Sequence, residues 1–510
     1  MDPATTSKHP IVHALLCLTL VLSLGHTTSA QRSYQGKIIQ PSGETTRLLD
    51  GIFSNSLVFQ MDVRQLHEYV SQNPKSCDVT LSIGNAHTWE IDLWQNEMRP
   101  SDHVAEATGP NGRVKLPRAP CTTYAGNLLG QPKNIVRLNV EPDRIWGYIW
   151  DENGKQHFVE PLREFVPGAA SNVFIHYLPE DQLRTEERSC GASDPMEHFH
   201  PTMDTTLYDG STRMEGNDCR KLDIATEADW EFYDDGETLN DILGNLNMVE
   251  GIYFSYFQMT FRVRYQHIWT ISADPYTSDE SGCDGNGQMD EFATYWYNNF
   301  SHIRRDINVL YSEKDYTDGD LGGTIGCAMT GEFGNNEDND GYVNDQSAIR
   351  GAYCVNEWID GAWTANDRTH LIAHEMGHVF GASHDNSTDN IMESSFSILS
   401  SAQSNFLTTT VSEMEAKMNW ASSVANDGRS AIRERYFPSS TLTTFPMPTP
   451  GIVSGNVTIA DASCSFETST AGAFTFSATD TVRLLPGFHA SPEPGQDILM
   501  KIAGCGLLAP

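Results

Sequence analysis

The sequence predicts an α/β (α+β) layer over residues 215–425, set between a β-rich N-terminal region and a small β-rich C-terminal module. Three observations carry this reading. In the first third, apolar and polar residues alternate with period two, at Val79, Leu81 and Ile83, at Trp89, Ile91 and Leu93, and from Ile145 to Trp150. Past residue 215, helical and strand periods interleave, as in a layered sheet with helices packed on it. After residue 425 the composition turns to Pro, Ser and Thr, and then to short alternating runs.

In chain order, residues 1–30 have the form of an export signal. Lys8 and His9 precede the apolar run Ile11 to Leu24, and the small residues Thr28, Ser29 and Ala30 follow. That run is short for a bilayer, so the expectation is a secreted protein with no transmembrane segment. Residues 31–195 form the β-rich region, its strands separated by turn chemistry at Gly109-Pro110-Asn111-Gly112 and Glu152-Asn153-Gly154. Leu222 to Ala225 reads as a strand. Leu239, Ile242, Leu243, Leu246 and Val249 fall at helical spacing, and Met259 to Tyr265 alternates as a strand. A helix is expected over Met289 to Tyr311, a strand over Gly323 to Met329, and a helix over Arg368 to Val379 capped by Asn366 or Asp367. Residues 426–450 read as a linker. Residues 451–510 form a β module with strands at Val453 to Ile459, Ala473 to Ala478 and Val482 to Leu485.

The 510 residues carry 33 Lys plus Arg against 68 Asp plus Glu, a formal charge of −35. Such a chain repels nucleic acid and anionic membrane, which excludes both as partners. Export permits disulfides. Cys17 leaves with the signal, and Cys464 and Cys505 bracket the C-terminal module as a natural pair. The upstream set Cys77, Cys121 and Cys190 is odd in number. Pairing Cys77 with Cys121 makes Cys190 the odd thiol, and pairing Cys190 with Cys219 is the other solution.

The chemistry concentrates in His374-Glu375-Met376-Gly377-His378-Val379-Phe380-Gly381-Ala382-Ser383-His384-Asp385. One helical turn separates His374 from His378, so both imidazoles can reach one metal ion. Gly381 suits the left-handed backbone at a helix end, and the turn there returns His384 as a third ligand. Three neutral imidazoles with one open position make a catalytic rather than a structural zinc site. Glu375 follows the first ligand and can act as the proton acceptor for a metal-activated water. His370, a turn earlier, is expected to be solvated or to support a ligand.

This run resembles the extended zinc motif of the metzincin metalloproteases, and Asp385 after the third histidine is similar to the adamalysin/reprolysin (ADAM-like) branch. The resemblance covers roughly residues 215–425. It implies a twisted, mostly parallel sheet with a long active-site helix, one catalytic Zn2+, and protein or peptide substrates. It also implies a methionine turn under the metal, matched by Met392 in Asp389-Asn390-Ile391-Met392-Glu393, and a pocket wall near Ser394 and Ser395. The segment containing Gly323, Thr324, Ile325 and Gly326 is similar to the edge strand on which such enzymes bind substrate as an added antiparallel strand.

The N-terminal region resembles a reprolysin-type propeptide at Cys121-Thr122-Thr123-Tyr124-Ala125-Gly126. Ser189-Cys190-Gly191 resembles a cysteine-switch segment, which implies a zymogen inhibited by its own propeptide through Cys190. Asp284 to Glu291 and Glu332 to Asp340 are candidate Ca2+ loops, though the first lacks the glycine and terminal glutamate of an EF-hand. Val482 to Ala490 resembles a β-stacking repeat of exported bacterial enzymes, implying an anchoring or binding accessory. The competing hypothesis is a non-catalytic extracellular adhesin or matrix-binding protein with a structural zinc; Glu375 argues against it, since a binding module needs no proton acceptor beside its metal.

Overall fold

The computed structural model describes residues 32–183, 189–192, 220–282, 287–303, 305–316, 324–333, 351–358, 363–385, 390–394 and 405–424, with the backbone of five short strands between 452 and 502. The export signal, the linker, Gly323, Ser395, Cys219, Cys464 and Cys505, residues 284–286 of the 284–291 loop and all but Glu332 and Phe333 of the 332–340 loop lie outside the described residues. Among the described residues no helix is long and apolar enough to cross a membrane.

The β-rich N-terminal expectation takes a definite form: nine strands close into a barrel. Arg32–Ile38 lies parallel to Cys77–Ile83, and every other pairing around the barrel is antiparallel. The inward residues, including Trp89, Ile91, Leu93, Val136, Leu138, Val159 and Phe174, form one apolar core. Two helices absent from the period-two reading, Gly43–Asp50 and Val63–Gln72, are capped by Ser42 and Asp62.

The expected Cys77–Cys121 disulfide does not form, and both are thiols. Cys77 pairs with Leu93 of His87–Gln95, whose other edge pairs with Thr123–Leu128, so a whole strand lies between the two cysteines. Two strand spacings are about 9.5 Å, beyond disulfide reach. Cys354, inside a buried strand, is also a free thiol.

Residues 220–424 build the α/β layer. Its mixed sheet runs, in order, Thr324–Ala328, Tyr353–Glu357, Ile307–Ser312, Arg220–Ala228 and Met259–Trp269, parallel except for the first pair. Helices Leu239–Phe257 and Ala365–Val379 cover one face, burying Ile242, Leu246, Val249, Ile372 and Met376. Helix Gln288–Phe300 covers the other with Phe292, Ala293 and Trp296. The single helix expected over Met289 to Tyr311 is therefore two elements. The Arg305 guanidinium donates to the Phe300 and Ile303 carbonyls at 3.3 and 2.8 Å and closes the helix. The β-branched and aromatic run that follows then enters the sheet, buried on both faces.

Both sheet edges are covered by residues from upstream. The hairpin Val104–Gly109 and Gly112–Lys115 leaves the barrel and pairs in parallel with Met259–Trp269, Val104 opposite Tyr265. At the far edge Ser189–Cys190 pairs in parallel with Thr324–Ala328. The barrel itself packs on the Leu239–Phe257 helix through buried polar contacts. Arg137 meets Glu250 at 3.3 Å, Tyr148 Oη donates to the Met248 carbonyl at 2.9 Å, and Asn139 donates to the Gly244 carbonyl at 3.1 Å.

Candidate metal centre

The helix Ala365–Val379 begins three residues before its expected start. Its cap is Thr364, not Asn366 or Asp367. Thr364 Oγ1 accepts from the Asp367 amide at 3.2 Å, while the Asp367 carboxylate accepts from the Thr364 amide at 2.9 Å. The Thr-x-x-Asp spacing was the signal for this reciprocal box. Ahead of it stands Glu160 of the barrel, which accepts from the Ala365 amide at 2.9 Å and from Tyr177 Oη, with Arg368 at 3.7 Å. Gln182 and Asn366 complete the seat. An acceptor at this position satisfies an amide that the helix start leaves without an intrahelical partner.

At the other end the chain turns through Gly381, at φ +85°. The Gly381 amide donates to the His378 carbonyl at 2.7 Å, and the Ala382 amide to the Gly377 carbonyl at 3.0 Å. This turn carries His384 back over the helix. His374 Nε2 then lies 3.0 Å from His378 Nε2, which lies 3.1 Å from His384 Nε2.

Proton positions decide what this triangle can hold. His374 Nδ1 meets the Ile391 carbonyl at 2.6 Å, and His378 Nδ1 meets the Ala382 carbonyl at 2.8 Å. A carbonyl only accepts, so each Nδ1 carries the proton. Burial, His378 and His384 hold His374 far below its usual pKa, and it is neutral. With His378 neutral as well, the Nε2 lone pairs of the two rings face each other at 3.0 Å, a repulsive arrangement unless a cation sits between them. Tetrahedral zinc with bonds of about 2.0–2.1 Å places its nitrogens about 3.3–3.4 Å apart. The residues fit a zinc ion, and the two backbone carbonyls fix the imidazoles for it.

Glu375 is wholly buried, and its oxygens make no hydrogen bond of ordinary geometry. Burial raises its pKa, the Cys190 thiol lowers it, and the net is about 8. A cation beside it would pull that value back down. Facing it is Gly326 of the edge strand, where a Cβ would collide with Glu375 Oε1. Thr324 and Ile325 share that strand.

Met392 is buried beneath the helix, and a Cβ on Gly377 would lie 2.7 Å from its sulfur. Its carbonyl accepts from the Asp385 amide at 2.8 Å, and Asn390 donates to the Asp385 carbonyl at 3.1 Å. Asp385 thereby ties the turn that carries His384 to the turn that carries Met392. His370 is buried, not solvated, with Nε2 at 3.2 Å from the same Ile391 carbonyl that orients His374.

Cys190 joins the three histidines, with all four ligand atoms within 4.8 Å of one another. Its amide donates to the Ser394 carbonyl at 3.2 Å, and the Gly191 amide donates to the Gly326 carbonyl at 3.0 Å. Residues 189–191 thus lie across the cleft between the edge strand and the wall at Ser394. The edge expected to receive substrate is occupied by the chain's own segment, in the parallel sense.

Comparison with known proteins agrees with this geometry. Residues 218–427 match the Reprolysin_5 model, metallo-peptidase family M12. The segment is a metzincin-type metallopeptidase domain. The metallopeptidase domain so matched contains the three histidines, Glu375 and Met392, and zinc is the metal of that family. Among solved structures, metalloproteinase-II from Bacteroides fragilis is 13% identical with a TM-score of 0.42, covering 76% of this chain and 99% of its own. A likeness of that size decides nothing about activity. No curated protein sequence matches the chain.

The first acidic loop has a structural use where it is described. Glu291 accepts from the Thr277 amide at 2.8 Å and from Thr277 Oγ1 at 2.5 Å, bracing the start of helix Gln288–Phe300.

Proposed function

We propose that the chain is the latent form of a secreted, zinc-dependent endopeptidase of the reprolysin type, with residues 31–195 as its inhibitory propeptide. The observation that carries the catalytic part is the meeting of three Nε2 atoms, two fixed by backbone carbonyls, next to a buried carboxylate. His374, His378 and His384 would hold the ion, which when bound supplies Lewis acidity toward the water and carbonyl of peptide hydrolysis. Glu375 takes the proton of the attacking water and returns it to the departing amine. The Thr324–Ala328 edge aligns the peptide by main-chain hydrogen bonds, and Gly326 lets that strand lie against Glu375.

Latency follows from residues 189–191. Cys190 fills the remaining ligand position, and a thiolate is a strong zinc ligand. Because this segment runs parallel to the edge strand, its peptide bonds are presented with the polarity opposite to that of an antiparallel substrate. It can therefore occupy the cleft without being cut.

The test is hydrolysis of a quenched peptide library by the chain before and after removal of residues 31–195, with zinc content measured alongside. Activity that appears on processing, vanishes with chelator and falls by about 10²–10⁴ in Glu375→Gln while zinc stays bound supports the reading. Full zinc occupancy with no cleavage in any state would overturn it.

A further inference from the structure

The N-terminal barrel contains a second group of histidines that the peptidase reading does not use. His87, His157 and His176 bring one ligand nitrogen each within 4.8 Å of the others. They come from three strands, His87–Gln95, Gln156–Pro161 and Val173–Tyr177. Alternation places all three inside the barrel. His87 shares a face with Trp89, Ile91 and Leu93, His157 with Val159, and His176 with Phe174, and all these neighbours belong to the barrel core. Three imidazoles at one end of an otherwise apolar interior need a physical reason, since each brings polar atoms out of water.

Part of the reason is visible. His157 Nε2 lies 3.4 Å from Asp151 Oδ2, and Asp151 is an acceptor when ionised. With the proton on Nε2, His157 turns its Nδ1 lone pair toward His176 Nε2, 2.9 Å away. The His87 ring stands 4.9 Å from that of His157 and 4.5 Å from that of His176, centroid to centroid. A carboxylate holding the far nitrogen of a histidine is the arrangement that orients and strengthens a metal-ligating imidazole. Trp89, 5.1 Å from His157 and stacked at 5.3 Å on His87, walls the group on its apolar side. His157 and His176 are each 4% exposed, while His87 follows the turn at Gly84 and is half-buried, so it can close on an entering ion.

We propose that His87, His157 and His176 form a second metal site, for a borderline divalent ion of the zinc class, with Asp151 as the positioning carboxylate. Such a site crosslinks three strands of the barrel and adds its binding free energy to the fold. It lies in the region that the latent chain alone retains, and its existence does not depend on the catalytic assignment.

The experiment uses the full chain with His374→Ala and His378→Ala, which removes the other three-histidine site, and zinc as the only added metal. After equilibrium dialysis this variant should hold one zinc per chain, and its melting temperature should rise with zinc. Adding His157→Ala and His176→Ala should abolish both effects, with circular dichroism checking that the barrel persists. Should that variant not fold, Asp151→Asn in the same background is the substitute, expected to weaken zinc binding about 10–100-fold. A folded His374→Ala, His378→Ala chain that takes up no zinc would overturn the proposal and leave the trio as a hydrogen-bonded stack. Zinc that persists at unchanged affinity without His157 and His176, or unchanged by Asp151→Asn, would overturn it as well.

Discussion

Glu160→Gln tests how the barrel holds the active-site helix. Glu160 is fully buried, accepts from the Ala365 amide and Tyr177 Oη, and its pKa is pushed from 4.5 up to about 7 by burial, which Arg368 only partly offsets. The folded chain therefore keeps a proton that the unfolded chain loses above about pH 4.5. Stability from the neutral carboxyl is complete below that value, falls as pH rises, and is lost once pH passes about 7. A rise of that size corresponds to roughly 3 kcal/mol. Gln retains an acceptor for Ala365 but does not titrate. Urea unfolding at pH 5 and pH 8, in a Glu375→Gln background to prevent self-digestion, measures the difference. Asp229 and Glu237, both also raised to about 7 by burial, titrate in both proteins and cancel in the comparison. The Glu160→Gln chain should lose about 2–3 kcal/mol less between the two pH values than its parent. Parallel pH profiles would refute the argument and mean that Glu160 is ionised throughout.

Arg137→Met leaves Glu250 buried without its cation and should destabilise the unprocessed chain by about 3 kcal/mol, more at high pH, as read by denaturant unfolding. In the processed domain, which lacks Arg137, the pair does not exist, so Glu250→Gln should cost less there than in the full chain. Gly326→Val forces the edge strand away from Glu375 and should lower kcat/KM of the processed enzyme about 10²-fold while zinc content is unchanged. Cys190→Ala removes the thiol from the histidine cluster, and the uncut chain should then hydrolyse a quenched peptide that the parent leaves intact.

The histidine cluster was legible because its logic is local. His374, Glu375, His378, Gly381 and His384 lie within eleven residues, and helix geometry nearly dictates their meeting. What supports them was harder to read. Ile391 orients His374 through a backbone carbonyl, for which side-chain identity gives no sign. Glu160 and Gln182 reach the helix from about 200 residues upstream, and nothing in their neighbourhood marks that contact. Strand periodicity showed that residues 31–185 were β-rich, but barrel closure depends on the parallel pairing of Arg32–Ile38 with Cys77–Ile83, a long-range choice. The helix expected through Tyr311 failed because the strand Ile307–Ser312 is buried on both faces and lacks strict alternation, which periodicity cannot separate from helix. His87, His157 and His176 are scattered across ninety residues, and only the barrel assembles them.

The hairpin at 104–115 has a consequence for the order in which the molecule can be made. It precedes every other strand of the mixed sheet in the chain, and Tyr265 to Trp269 align on Val104 to Thr108 residue by residue in the parallel sense. Parallel pairing of distant segments is slow, because a long loop must close before any contact rewards it. A hairpin anchored in a finished barrel offers a nascent chain a ready ledge on which to lay that strand, and later strands follow outward from it. Cutting the barrel away afterwards leaves the Met259–Trp269 row of amides and carbonyls open along one side. The processed enzyme would then be a molecule that persists because its unfolding is slow, rather than one that could readily refold unaided, and its refolding yield should recover when the barrel is supplied as a separate chain.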